Sequence, residues 1–119
     1  MKRPNAVRDK SLVFAIEVVM LCKELQEKKE FILSKQLMRS GSAIGALVRE
    51  AEQAESSKDF IHELSIALKE ANETDYWLEI LMKTEYLNSN QFQEFDEKVK
   101  ERIKLLTSII KTTKSKINQ

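Results

Sequence analysis

The sequence predicts an all-α protein, an up-down-up-down four-helix bundle, on three observations. Only two glycines and one proline, Pro4, occur in 119 residues, so the turn chemistry that strands and hairpins require is missing. Apolar residues recur at spacings of three, four and seven through most of the chain, which is the helical period. Short polar breaks divide the periodic stretches into four, and long helices joined by short connections pack as antiparallel neighbours. A chain of this length holds one core, so residues 1–119 form a single domain, with mobile tails expected over about 1–8 and 115–119.

Helix one is expected to begin at Asp9 or Ser11, either of which caps well, and to run to about Lys29. Its middle, Leu12 to Cys22, is apolar nearly all round and interrupted by Glu17. A bundle helix ordinarily buries one stripe, and a helix apolar on every side needs cover on every side. That predicts self-association. The run is too short to span a bilayer and lacks a small-residue cleavage site, so it is neither an anchor nor a secretory leader. Cys22, the one cysteine, has no partner for an internal disulfide, which points to a reduced thiol in the cytoplasm.

Helix two is expected from a cap at Ser34 to about Ala54, and its stretch Gln36–Ala51 organises the chain. Leu37, Ile44, Val48 and Ala51 share one face. Both glycines, Gly41 and Gly45, lie here one turn apart, and each costs about 1 kcal/mol relative to Ala inside a helix. With Ser42, Ala43 and Ala46 they leave almost no side chain on a broad face, so another backbone can approach closely. Lys35, Arg39, Arg49 and Glu50 exclude a pair of membrane helices. Two readings stay open for this face, close packing alone or a functional surface. Gly41, Ser42 and Gly45, with Arg39, Arg49 and Glu50 as ion partners that set register, are the candidate residues of a subunit contact.

Helix three is expected to start at Ser56-Ser57-Lys58-Asp59, where Ser56 and Asp59 have capping-box spacing. Phe60, Leu64, Ala67, Leu68, Ala71, Leu78, Leu81 and Met82 follow at helical intervals, and only Asp75 is out of character on that face. Asn88 or Ser89 should cap helix four, whose Phe92, Phe95, Val99, Ile103, Leu106, Ile109 and Ile110 lie on one side, with fraying beyond Lys114.

A net charge of +1 conceals segregation. Residues 1–49 carry ten Lys and Arg against five acids, residues 50–97 three against thirteen, and residues 98–119 seven against one. In an up-down bundle the start of helix one meets the end of helix four, which brings Lys2, Arg3, Arg8 and Lys10 to Lys111, Lys114 and Lys116. Terminal lysines complement the helix macrodipole, and mobile tails are often charged. Alternatively the basic end meets a polyanion, RNA or DNA, through Arg3, Arg8, Lys10, Lys111 and Lys114, with the acidic middle confining contact to that end and Lys58 and Lys83 playing no part.

Catalytic chemistry finds little support. The one histidine, His62, rules out a di-iron carboxylate centre, which needs two Glu-x-x-His pairs. No Cys and His metal spacing, phosphate-cradling loop or nucleophile and base pair can be assembled, so no enzyme activity, metal or cofactor is expected. Glu70, Glu73, Tyr76 and Trp77 either line a pocket or belong to core and interface.

Gln36-Leu37-Met38-Arg39-Ser40-Gly41-Ser42-Ala43-Ile44-Gly45-Ala46, then Ser57-Lys58-Asp59-Phe60 and Ala67-Leu68-Lys69-Glu70-Ala71-Asn72-Glu73-Thr74-Asp75-Tyr76-Trp77-Leu78, resemble the four-helix-bundle family of proteins encoded within 23S rRNA intervening sequences. The similarity runs from about Leu12 to Lys114. More distantly, that family includes the accessory variability protein of diversity-generating retroelements. The resemblance implies a homopentameric barrel of up-down bundles and, for the retroelement branch, binding to nucleic acid and to a reverse transcriptase. Arg39 and Glu50 match the family pattern as interface or groove residues. Ala43-Ile44 and Leu47 depart from it, since the family commonly has Ser then Ile, and Asn, at those places.

Overall fold

The structure, a computed structural model, describes the backbone of residues 3–118 and the side chains from Ala6 to Asn118. Four helices follow one another, α1 (Arg3–Glu27), α2 (Ile32–Ala51), α3 (Ser57–Lys83) and α4 (Ser89–Ile117), and no strand occurs among the described residues. They make a rod of 51 × 21 × 20 Å. Its axis carries Phe14, Val18, Leu25, Leu37, Ile44, Val48, Leu64, Leu78, Leu81, Val99 and Leu106, all buried. Phe14 and Phe95 meet across α1 and α4 with ring centroids 6.3 Å apart, a tilted arrangement that aromatic quadrupoles favour.

Each helix boundary has a local cause. Ser56 accepts from the Asp59 amide at 3.1 Å and caps α3, while the Asp59 carboxylate accepts from the Glu55 amide at 3.1 Å. Asn88 and Gln91 exchange side-chain and backbone bonds of 2.8 and 3.1 Å in a full capping box at α4. α1 and α3 both stop at a left-handed residue that is not glycine, Lys29 at φ 67° and Glu85 at φ 68°. The following amides, of Glu30 and Tyr86, reach back to the carbonyls of Leu25 and Leu81, which closes each helix end in the manner of a Schellman motif.

Several boundaries differ from those read in the sequence, and α1 and α2 end at Glu27 and Ala51 rather than at about Lys29 and Ala54. α1 begins at Arg3 rather than Asp9 or Ser11: Pro4 is tolerated in a first turn, where its missing amide has no partner to lose, and Val7 is buried at 1% exposure, so packing carries the helix past the polar cap candidates. Ser11 is itself fully buried. At α2 the N-cap position falls on Phe31, not Ser34, and the orphan amides are taken by Glu30 just before it. The Glu30 carboxylate accepts from the Leu33 and Ser34 amides at 3.0 and 2.6 Å, and Ser34 Oγ donates back to the Glu30 carbonyl at 2.8 Å. A carboxylate at a helix start satisfies two orphan amides and the macrodipole together. Finally, α4 continues to Ile117, past the fraying expected beyond Lys114, and helix covers residues 3–8 and 115–117 of the segments expected to be tails.

Candidate functional site

The small-residue face of α2 is used inside the protomer. A β-carbon on Gly41 would lie 2.9 and 3.1 Å from the two γ-methyls of Val18 in α1, and Val is stiff about χ1 in a helix. A β-carbon on Gly45 would lie 3.4 Å from the Ser11 carbonyl oxygen. Both glycines are buried against α1 of their own chain, so they act on any subunit contact only through the spacing of α1 and α2. Ser42 Oγ donates to the carbonyl of Met38 at 2.7 Å. Arg49 and Glu50 are exposed at the last turn of α2, where neither makes an ion pair among the described residues.

Arg39 forms the polar centre of the α2–α3 contact. Its guanidinium donates to both oxygens of Glu70 at 3.1 and 3.2 Å and also to Glu73. Trp77 Nε1 donates to Glu73 at 2.9 Å, a bond that, with Arg39, holds the Glu73 carboxyl below the usual carboxylate range. Beneath this cluster Thr74 Oγ1 donates to Ser40 Oγ at 2.9 Å, fully buried. Glu70, Glu73 and Trp77 are therefore gathered around Arg39 on one face. Tyr76 packs on the Trp77 ring at 5.2 Å and lines a separate shallow groove with Glu79, Ile80, Lys83 and Thr84, so the four candidates do not share one pocket.

The outer side of α1 is apolar and uncovered in the single chain. Leu12, Val13, Ile16 and Met20 are 43 to 56% exposed, and their spacing puts them on one stripe. Over about two and a half turns, such a stripe is the kind of patch that marks a contact surface. The inner side of the same helix is filled by Phe14, Val18, Leu21 and Leu25.

The basic end contains more acid than the sequence suggests. Arg8 pairs with Glu52 at 3.4 Å, and Lys10 with Glu101 at 2.7 Å, which holds the Glu101 carboxyl below its ordinary range. Glu50, Glu52, Glu55 and Asp59, around the α2–α3 connection, lie at this same end by the antiparallel order. The side chain of Arg3 lies outside the described residues. Three of the cations left here lie on one flank of α4. Lys104, Lys111 and Lys114 are exposed and make no ion pair among the described residues; at helical spacings of seven and three they fall in one file about 15 Å long. Lys58, in the first turn of α3, is at this end too, whereas Lys83 is engaged with Glu79 at the other.

Sequence reasoning does not find Arg102. The residue is 5% exposed, and its side chain crosses from α4 to α1. Nη2 donates to the Lys10 carbonyl at 2.7 Å, Nη1 to the Lys98 carbonyl at 3.1 Å and to Glu101 at 2.8 Å. The guanidinium lies 5.3 Å from the centre of the Phe14 ring, a cation–π contact. Burial lowers its proton affinity. Its position between Glu101 and Ile103 looks like ordinary surface charge, and only the period, Val99-Arg102-Leu106, gives it away.

Among the described residues no three His, Cys, Asp or Glu side chains converge as a metal-binding group, and no helix is long and apolar enough to cross a membrane. No curated protein matches the chain. A solved structure, of a protein of unknown function from the S23 ribosomal protein family of Bacteroides thetaiotaomicron, is 56% identical and superposes with a TM-score of 0.90, over 92% of this chain and 98% of that one. The sequence model of the 23S rRNA-intervening sequence proteins matches residues 3–108. With the match spanning all but the last turns of the fourth helix, the chain belongs to the 23S rRNA-intervening sequence protein family.

Proposed function

We propose that this protein is a non-enzymatic accessory factor of the cytoplasm that assembles with copies of itself, as a pentameric ring, and holds the backbone of RNA or DNA along α4. The observation that carries the binding reading is the file of Lys104, Lys111 and Lys114, exposed and unpaired among the described residues. Such a file meets phosphates without reading bases, so binding is independent of sequence and falls as salt rises. Assembly is supported by the bare apolar stripe of α1, which a second copy would cover. Repetition around a ring would give every subunit a copy of the lysine file.

The test is an oligonucleotide titration at several salt concentrations, with light scattering on the same sample. Binding at low salt is expected, with a log–log salt slope of about 0.9 per duplex phosphate neutralised. Replacing Lys104, Lys111 and Lys114 by Glu should abolish it, while Lys83→Glu should not. An absence of binding at low salt, or binding unaffected by the triple change, sinks this reading. A monomer at micromolar concentration sinks the assembly. A scaffold for a protein partner, such as a reverse transcriptase, is the second reading, favoured by the pairing of Arg8 with Glu52 and Lys10 with Glu101, which removes two cations from the patch.

A further inference from the structure

The seam between α3 and α4 contains two acids facing each other. Asp75 is half-buried on α3 and Asp96 is half-buried on α4, eight residues before the end of one antiparallel helix and seven after the start of the next, which sets them opposite each other across the seam. Each has one oxygen, Oδ1, sealed from solvent and without a donor from any other group. A carboxylate cannot donate to a carboxylate, so with both ionised the pair has no bond across the seam and two like charges in contact. A single proton removes both defects, because the protonated Asp75 then donates to ionised Asp96.

The other charges that face the pair come from the same two helices. Lys100 of α4 donates to Asp96 Oδ2 at 3.0 Å, and Glu79 of α3 adds negative charge one turn away. One lysine thus offsets one of the two carboxylates and leaves the second uncompensated. We propose that Asp75 and Asp96 are a proton-operated latch, in which one shared proton closes the α3–α4 seam and its loss loosens it. This device is independent of the lysine file and of assembly through α1.

The direction of the pH dependence follows from the same geometry. Burial, then the bond and charge of Asp96, push Asp75 up to about 6 from 3.8, whereas the bond from Asp75 and then Lys100 hold Asp96 below its ordinary value. Folded protein therefore keeps a proton that unfolded chain releases near the ordinary Asp value. The stabilisation from Asp75 is complete below about pH 4 and is lost as pH rises through about 6. Asp96 works oppositely and only in stronger acid, where its contribution is lost as pH falls.

Side-chain carboxyl NMR together with thermal melting between about pH 4.5 and 7.5 tests the latch in the full chain. Asp75 is expected to titrate with a midpoint near 6, and the melting temperature to fall by roughly 5 °C across the range. Asp75→Asn carries a permanent donor at the same place, so it should flatten that fall and raise the melting temperature at the upper pH. In Asp96→Asn, the midpoint of Asp75 should drop by at least one unit. An ordinary Asp midpoint for Asp75, or a pH slope unchanged by Asp75→Asn, overturns the proposal. If Asp75→Asn fails to fold, the titration of Asp75 in Asp96→Asn decides alone, and a midpoint that does not move overturns the latch.

Discussion

The two flanks of α1 are built on opposite principles. Toward α2 the contact is close and uncharged: Gly41 and Gly45 let the backbones approach, and Val18, Cys22 and Ser11 fill what is left. Toward α4 the helices meet over a shorter stretch and the gap is bridged by long cationic side chains, with Arg102 lying on Phe14, Lys98 on Glu17 at 2.5 Å and Lys10 on Glu101. Close approach leaves shape as the only source of specificity, because no long side chain fits. A wider gap can be filled by methylene stems whose charged heads then find carbonyls and carboxylates. One flank should therefore be sensitive to added volume and insensitive to salt, and the other the reverse.

The sharpest test of that contrast is Arg102→Ala, which removes a buried stem, takes the second hydrogen bond from the Lys10 and Lys98 carbonyls and uncovers Phe14. A loss of about 3 kcal/mol in urea unfolding is expected; a loss under about 1 would make Arg102 a surface residue in energetic terms. Gly41→Ala should cost about 1–2 kcal/mol, the clash with Val18 outweighing the gain in helix propensity. Gly45→Ala meets only ordinary contact distances and should be neutral or stabilising by up to about 1 kcal/mol. Equal effects at the two glycines would show that α1 shifts as a rigid body to make room. The smallest effect is expected from Glu17→Gln, about 0.5 kcal/mol and fading with salt.

Much of this is legible in the chain itself, and the rest is hidden for a common reason. Ser56 and Asn88 act over three residues and can be read from spacing. Glu30 loses to Ser34 in a sequence reading because a carboxylate four residues ahead caps as well as a hydroxyl in place, and local preference does not decide between them. The glycines announce a close approach but not its partner, which is α1 of the same chain. The pairing of Arg8 with Glu52, 44 residues away, and of Lys10 with Glu101, 91 away, depends on the register of helices that share no sequence signal. For that reason the charges of the basic end can be counted from the chain while their neutralisation cannot. Asp75 stands out as the one acid on an apolar face, yet its partner Asp96 lies on another helix at no fixed spacing.

Cys22 sits where α1 and α2 come together, its Sγ donating to the Ser34 carbonyl at 3.2 Å and its thiol pushed up to about 12 by burial, with a further push from Glu30. At neutral pH it is therefore neither nucleophilic nor reachable while the helices stay together. That silence makes it a built-in clock for opening. Alkylation of the native chain by iodoacetamide can proceed only as fast as α1 lifts from α2, and with one thiol per chain each event adds one label countable by mass. Labelling rates compared with those in urea give the opening equilibrium of this seam without any engineered probe, and Gly41→Ala, which crowds the same seam, should be marked sooner.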